Sequence, residues 1–260
     1  MAAAATLAGS FDLAPREALA FFRAKGFKLG FAWQDVWHEE HDAAFTVAKM
    51  MDVDLLRDVR AAVDRAIAEG TTLAQFKKEL EPTLQDAGWW GKRAVVDPGT
   101  GETVLAQLGS PRRLRTIFRV NLQTAYAAGN WEQIQDTKAD APYLMYDAID
   151  DNRTRPEHRA WDGTVLRADD GWWATHMPPN GWNCRCSVIQ LSRDQLAAMG
   201  KTVEAAPPVA EREYENPRTG EVSRVPVGID PGFAYNPGES RTARLQRVYE
   251  AKVKEYKDGG

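Results

Sequence analysis

The stretch SPRRLRTIFRVNLQTAYAAGNWEQIQDTK, residues 110–138, constrains the fold most, because it predicts the longest helix of the chain. Ser110 is a favourable N-cap, and Pro111 is a favourable first helical residue. Apolar side chains then recur at helical spacing, at Leu114, Ile117, Phe118, Leu122, Ala125 and Tyr126. We therefore expect the part of the chain that follows residue 110 to be built on this helix.

The first 90 residues predict four short helices. Their segments are 15–26, 33–50, 52–70 and 71–88, and each carries apolar residues at mostly helical spacing. The third can be capped by Asp52 or Asp54 and closed by Gly70, and the fourth begins with a threonine cap. Pro82 is expected to interrupt the fourth helix. Four short helices indicate a bundle-like unit.

The remaining segments favour short strands. DPGTGE at residues 97–102 and NPRTGE at 216–221 are hairpin turns between strand-like runs, and residues 141–150 and 184–191 are also typical of strands. A short helix is expected at 192–200 and a last helix at 241–258. The predicted fold class is α+β, with a helical N-terminal part followed by a long helix on a small antiparallel sheet.

This pattern predicts four regions along the chain. They are a helical N-terminal domain at 1–90, a hairpin linker at 91–109, an α+β domain with a cysteine and histidine cluster at 110–200, and a final region at 201–260. The final region holds a hairpin, an irregular loop and the C-terminal helix.

Composition excludes some functional classes. The 260 residues are 43% hydrophobic, and no apolar run approaches the roughly 20 residues that a bilayer crossing needs. The N-terminus has no basic, apolar leader, so no signal peptide is expected. A net charge of −4 argues against a protein that coats nucleic acid with its whole surface. The nine tryptophans suit a core or a subunit interface.

The two cysteines of the chain, Cys184 and Cys186, lie in one segment with His158 and His176. Two cysteines and two histidines form an ordinary zinc ligand set, and residues i and i+2 of a strand face the same side. These four residues therefore predict a closed, structural Zn²⁺ site, in which no chemistry is expected. Two alternatives stay open: the cysteines pack as small hydrophobic residues, or one of them is a redox or nucleophilic group.

Three other polar groupings are candidates for function. His38 and His41 have i, i+3 spacing, which differs from the zinc helix motif, so they predict a helix surface. The run Asp150–Arg155 allows Arg153 and Arg155, with His158, to grip a phosphate or act on RNA or DNA. The same run also suits a salt-bridged turn, and we favour this structural interpretation.

A basic helix face is the third grouping. Arg112, Arg115 and Arg119 share one face of the long helix, since they are three and four residues apart. This face is suited to DNA phosphates or to an acidic protein surface, or it is simply solvated. The C-terminal helix is likewise either a docking helix or part of its own domain.

The segments DDNRTRPEHRAWDGTVL and PPNGWNCRCSV together resemble the hallmark region of the phage Mu F-type minor head proteins. PREALAFFRAKG, FTVAK, GWWG and DPGFAYNPG resemble the same family, so the resemblance covers most of the chain. The hallmark positions are Asp151, Arg153, Thr154, Arg155, Pro156, His158, Asp162, Gly163, Pro178, Pro179, Gly181, Cys184, Arg185 and Cys186.

The resemblance implies a virion component that is present in few copies. Such proteins act at the portal vertex in procapsid assembly and in DNA packaging or delivery, so the expected location is the virion head, reached from the host cytoplasm during assembly. The implied partners are the portal protein and capsid or scaffold proteins, with DNA for some members and no membrane. No enzymatic role is expected; the alternative is a nuclease-like or toxin-like enzyme that uses Arg153, Arg155 and His158.

Overall fold

A computed structural model describes residues 15–36 and 40–239 and shows an α+β fold. The helices are α1 (Arg16–Arg23), α2 (Glu40–Ala43), α3 (Val53–Glu69), α4 (Leu73–Asp86), α5 (Pro111–Thr137), α6 (Pro156–Trp161), α7 (Trp173–His176) and α8 (Arg193–Ala198). The strands are β1 (Gly26–Phe27), β2 (Ala44–Phe45), β3 (Lys92–Val96), β4 (Thr103–Gln107), β5 (Tyr143–Asp147), β6 (Val165–Arg167), β7 (Ser187–Leu191), β8 (Glu211–Glu215) and β9 (Val222–Pro226).

Helix α5 is the predicted long helix, and it contributes to two hydrophobic cores. Its first part, with Leu114 and Ala125, packs against α1, α3 and α4. Its last turns place Trp131 and Ile134 in a second core with residues of the sheet and of the loops beyond it. Ser110 caps the helix as expected, since its hydroxyl accepts the Arg113 backbone N–H. The helix therefore links the helical part of the molecule to the part that carries the sheet.

The predicted small antiparallel sheet has the strand order β6–β5–β7. Its central strand β5 pairs with both neighbours, and Tyr143 lies opposite Arg167 on one side and opposite Leu191 on the other. Leu144 and Tyr146 of β5 are fully buried in the second core. Because β5 lies in the middle, the loops at its C-terminal end are fixed from both sides.

The predicted caps of α3 and α4 are confirmed, whereas the prediction that Pro82 interrupts α4 is wrong. The Asp52 side chain accepts the backbone N–H groups of residues 54 and 55 to cap α3, and Gly70 ends that helix with φ 67°. Helix α4 continues through Pro82. This proline lies on the exposed side, where water can satisfy the freed carbonyl, while buried Leu80 and Leu84 hold the helix on the core.

The predicted helix over residues 33–50 is wrong, since among its described residues only α2 is α-helical. The helices that pack together are α1, α3, α4 and α5, so the bundle-like unit includes a helix from beyond residue 90. The segment forms a 3₁₀ turn at Trp33–Asp35, the short helix α2 and the strand β2, which pairs in parallel with β1. The Asp35 carboxylate accepts the backbone N–H groups of Phe31 and Ala32 and closes the turn. Phe45 is buried against Phe22, so tertiary packing overrides the helical spacing.

The two predicted hairpins are confirmed as β3–β4 and β8–β9, and their turns contact each other. Arg218, in the second turn, forms ion pairs with Asp97 of the first turn and with Asp35 at 3.0 Å. A Cβ atom on Gly99 would lie 3.0 Å from the Arg218 guanidinium, so glycine leaves room for this contact. The ion pair between Arg218 and Asp97 thus joins two hairpins that are distant in the chain.

The division of the chain into four regions stays a prediction. Helix α5 contributes residues to both hydrophobic cores, so the cores do not separate at the predicted boundaries. The predicted helix at 241–258 and the residue His38 lie outside the described residues. Within the part of the chain that the structure covers, none of the helices has the length and apolar character that a bilayer crossing requires.

Gly129 offers a test of the contact between α1 and α5. An added Cβ would lie 2.7 Å from the backbone nitrogen of Ala18. Alanine in an open helix is favoured over glycine by about 1 kcal/mol, but overpacking costs about 1–3 kcal/mol. We expect Gly129→Ala to lower the free energy of unfolding, measured by urea denaturation. Gly171→Ala is the control, because its Cβ meets nothing within 4 Å. A more stable Gly129→Ala variant would contradict this packing.

A cysteine and histidine cluster beside an arginine-lined cavity

The Asp151 carboxylate organises the turn that follows β5. It accepts the Arg153 backbone N–H at 2.9 Å and two hydrogen bonds, at 2.6 and 2.7 Å, from the Arg185 guanidinium. These contacts hold the pKa of the Asp151 carboxyl well below its ordinary value, and the hydrogen bonds from Arg185 have the largest effect. The Arg153 side chain lies 3.1 Å from the same carboxylate. The polar run Asp150–Arg155 therefore forms the salt-bridged turn that we favoured.

Arg155 connects this turn to two later loops. Its guanidinium pairs with Asp230 at 2.6 Å, and Asp230 also accepts the Trp182 backbone N–H at 2.8 Å. A Cβ atom on Gly181 would collide with both Arg155 and Asp230, which explains the glycine at this position. The pair thus fixes the segment before the cysteines against the loop around residue 230.

Other hallmark residues shape the backbone around α6. Pro156 is the first residue of α6, where a missing N–H costs nothing. Asp162 accepts the Ala148 backbone N–H at 2.8 Å, and Gly163 adopts φ 75° while its N–H bonds to the Tyr146 carbonyl at 2.8 Å. The contacts of Asp162 and Gly163 tie the C-terminal end of α6 to β5 and to Ala148, which follows β5, and so help to position the side chains of α6.

Three of the four predicted metal ligands meet in one cluster. The donor atoms of His158, Cys184 and Cys186 all lie within 4.8 Å of one another. His158 Nδ1 lies 3.7 Å from Cys184 Sγ and 3.4 Å from Cys186 Sγ. His158 and Cys184 are buried, and Cys186 is partly buried. The two cysteines lie just before β7, so the prediction that a strand presents them is wrong; Asn183, with φ 60°, turns the chain ahead of them.

The protonation of the cluster follows from its neighbours. His158 Nε2 lies 2.9 Å from the Gly228 carbonyl oxygen, which can only accept, so Nε2 carries the proton and Nδ1 faces the sulfurs with its lone pair. The hydrogen bond between the thiols lowers the pKa of Cys184 to about 7 and raises that of Cys186 to about 12. Cys184 is therefore the more acidic of the two thiols.

His176, the fourth predicted ligand, lies outside this group of three. Its ring stacks on Trp172 and meets the edge of Trp161, with distances between ring centroids of 4.2 and 5.0 Å. The Nδ1 atom lies 2.8 Å from the Thr175 hydroxyl oxygen. Burial lowers the pKa of His176 to about 4, so the ring is neutral. Trp161 also stacks on His158 at 5.2 Å. The two histidines thus share an aromatic neighbour, and the described contacts of His176 are aromatic and structural.

The cluster forms part of the wall of a cavity of about 340 Å³ that is rich in arginine. The arginines that line it come from three segments of the chain: Arg112, Arg115 and Arg119 of α5, Arg153 and Arg155 of the turn, and Arg185 between the cysteines. The structure therefore brings together the basic helix face, the polar run and the cysteine segment.

The arginines of α5 differ from the others in their partners. Arg153 and Arg185 share Asp151, and Arg155 pairs with Asp230. Arg112, Arg115 and Arg119 have no carboxylate partner among residues 15–36 and 40–239. Positive charge on this side of the cavity is therefore uncompensated by the described chain.

Sequence reasoning missed the side-chain or backbone partners of three residues at the site, Asp230, Gly228 and Arg185. Asp230 and Gly228 are about 70 residues from their partners, Arg155 and His158, in the chain. Both lie in the irregular loop expected in the final region, but nothing local indicated its partners. Arg185 lies inside the C-R-C motif, and its spacing to Asp151 carries no signal that the two side chains pair.

Comparison with known proteins places these observations in a family. The family described as "Phage Mu protein F like protein" matches residues 57–189, which include the turn, the cluster and α5. The chain is 40% identical over 270 aligned residues to the "Putative capsid assembly protein F" of Escherichia phage Mu, and 37% identical over 241 to the "Mu-like prophage FluMu F protein" of Haemophilus influenzae. No solved structure matches the chain.

The alignments cover most of this chain but only part of each relative. They include 96% and 86% of the chain, and 61% and 57% of the length of the phage Mu and Haemophilus influenzae proteins, respectively. The family match at residues 57–189 includes the Asp151 turn, His158 and both cysteines.

The Asp151 turn predicts a pH-dependent contribution to stability. Because the pKa of Asp151 is lowered on folding, its ion pairs stabilise the protein above the ordinary value of 3.8 and are lost as pH falls through the folded pKa. We expect Asp151→Asn to reduce the free energy of unfolding at pH 7, with the gap to wild type narrowing below pH 3.8. Urea denaturation at several pH values measures this, with the exposed Asp140→Asn as control. A gap that is constant with pH would contradict the assignment.

Proposed function

This chain belongs to the phage Mu protein F-like family, and from that membership we propose that it is a phage head-assembly protein that acts at the portal vertex. In this role it takes part in procapsid assembly and in DNA packaging or delivery, as a virion component present in few copies. Its partners are the portal protein and capsid or scaffold proteins.

The observation that carries the proposal is the long alignment with the phage Mu protein, whose name describes capsid assembly. The alignment includes both cores, the Asp151 turn and the cysteine segment, so this chain shares the scaffold as well as the motif with that relative. The contacts of the hallmark residues support a rigid assembly component. Most of them make hydrogen bonds and ion pairs that hold loops in place, as Asp151 and Arg155 do.

The basic face of α5 supports a contact with DNA. Arg112 and Arg115 are exposed and Arg119 is partly exposed, at a spacing that aligns them on one helix face. Since the described residues offer them no carboxylate, their charges are available to phosphates of a passing or packaged duplex. An acidic patch of the portal protein is the other surface that this chemistry suits.

The three residues on which the alternative, enzymatic function depends already form ion pairs or hydrogen bonds within the protein. Arg155 pairs with Asp230, and Arg153 pairs with Asp151. His158 is buried, with its Nε2 bonded to the Gly228 carbonyl and its Nδ1 facing two sulfurs. A general base for phosphodiester cleavage must reach a substrate hydroxyl or water, and neither ring nitrogen is free for that role. We therefore propose a non-catalytic role.

Portal docking is tested by co-purification. The 260-residue chain, mixed with the portal protein encoded by the same phage, is expected to form a complex that survives gel filtration at micromolar concentrations. The matched control is the portal protein of an unrelated phage, which should not bind. If a well-folded chain forms no complex with its own portal protein, portal docking is wrong.

The DNA contact is tested by the salt dependence of binding. Each phosphate contact contributes about 0.9 to the slope of log affinity against log salt, so removing three arginines should reduce the slope by about 3. We expect this for the triple variant Arg112→Gln, Arg115→Gln, Arg119→Gln, measured by fluorescence anisotropy with a random duplex.

The matched control removes three exposed arginines elsewhere, in the variant Arg57→Gln, Arg65→Gln, Arg224→Gln. These side chains form surface ion pairs, which contribute little to stability. An equal loss of slope in both triple variants would mean that DNA meets the protein without using α5.

A further inference from the structure

We propose that His158, Cys184 and Cys186 bind one zinc ion whose fourth coordination position opens into the arginine-lined cavity and takes a phosphate group. This differs from the closed, four-ligand site that the sequence predicted. It assigns the cluster and the cavity to a single anion-binding centre, and it holds whether or not the chain assembles phage heads.

The spacing of the donor atoms suits zinc. With Zn–S bonds of about 2.3 Å and Zn–N bonds of about 2.0–2.1 Å, tetrahedral geometry sets a nitrogen-to-sulfur separation of about 3.6 Å. The two separations from His158 Nδ1 are 3.4 and 3.7 Å. An ion therefore fits among the three donors with little movement, and the two thiols release their protons to solvent when they ligate it.

The groups around the cluster hold the ligands in position. The His158 Nε2–H donates to the Gly228 carbonyl, which is how metal-bound histidines are usually oriented. The Cys184 backbone N–H bonds to the Gly181 carbonyl at 3.1 Å, and its carbonyl accepts a hydrogen bond from Gln123 of α5. The histidine and Cys184 are thus fixed by the backbone and by the long helix before any metal arrives.

The fourth position is open because no other His, Cys, Asp or Glu side chain among residues 15–36 and 40–239 joins the group. His176 lies outside the group and its Nδ1 contacts Thr175. Meanwhile all three residues line the cavity. Zinc with three protein ligands keeps a position for water or an exogenous ligand, whereas four protein ligands close the site.

Charge selects the ligand that enters. Zn²⁺ with two thiolates and a neutral imidazole has no net charge, so the arginines set the sign of the cavity. Three of the six lining arginines have no described carboxylate partner, and they lie on α5 on one side of the cavity.

The size of the cavity also suits phosphate. Its volume of about 340 Å³ is roughly ten times the volume that one water molecule occupies in the liquid, which leaves room for a solvated phosphate. A tetrahedral phosphate can bind zinc through one oxygen and guanidinium groups through the others.

Metal content tests the cluster. The untagged 260-residue chain is expected to hold about one zinc per chain by mass spectrometry of the intact protein and by elemental analysis. Cys184→Ser and Cys186→Ser should each lose most of it, and the matched control His176→Gln should keep it. Zinc below about 0.2 per wild-type chain overturns the proposal. Loss of zinc in folded His176→Gln overturns the open position.

The open position is tested with Co²⁺ in place of zinc, because its visible spectrum reports the ligand set. Inorganic phosphate is expected to shift the spectrum of the wild-type protein. In Arg115→Gln and Arg119→Gln the apparent phosphate affinity should fall about tenfold, with unchanged cobalt content. Arg57→Gln, on α3, is the matched control and should behave as wild type. A spectrum that phosphate leaves unchanged overturns the proposal.

Two further ligands identify the source of the phosphate group. A short DNA duplex that shifts the spectrum as inorganic phosphate does identifies a phosphodiester as the ligand. A duplex that has no effect, with phosphate active, restricts the site to free or terminal phosphate; both results support a phosphate centre. A glutamate-rich peptide that shifts the spectrum more strongly than phosphate would instead make this a carboxylate site and overturn the assignment.

Discussion

The architecture depends on α5, because one helix is shared by two hydrophobic cores. Leu114 and Ala125 are buried among the N-terminal helices, while Trp131 and Ile134 are buried against the sheet. A single rigid helix therefore sets the distance and orientation between the two parts. It also carries three of the cavity arginines and the glutamine that holds the Cys184 carbonyl. The cavity can exist only because the helix that supports both cores also passes over the cysteine segment.

The hallmark residues act mainly through such long-range connections. Asp151 pairs with Arg185, and Arg155 pairs with Asp230, so two ion pairs join three loops around the cluster. Glycine at 181 and 228 leaves space for the side chains that cross there. A motif rich in arginine and histidine is therefore explained largely by the need to hold loops in place. The arginines of α5 are not used in this way, so their charges stay available for binding.

The parts of the fold that the sequence predicts well are those fixed by local chemistry. The caps of α3 and α4, the long helix and both hairpins are specified by residues only a few positions apart. The segment 33–50 was mispredicted because buried Phe45 pairs in a strand.

The site, too, is predictable only where its residues are close in the sequence. The grouping of His158 with the cysteines was visible as proximity in sequence, whereas the choice between His158 and His176 depends on how α6 and α7 pack around Trp161. The contribution of Gly228 and Asp230 arises only when the loop near residue 230 folds back.

The contact between the two hairpin turns has a consequence for the order in which the molecule can be completed. Arg218 meets Asp97 across 121 positions of chain and Asp35 across 183. During synthesis from the N-terminus, both carboxylates leave the ribosome long before the guanidinium that binds them. Until then the helical part lacks its closing cation, and its first hairpin has no partner turn. The turn that carries Arg218 therefore connects two segments that are synthesised before it, and a chain that ends before residue 218 lacks both ion pairs.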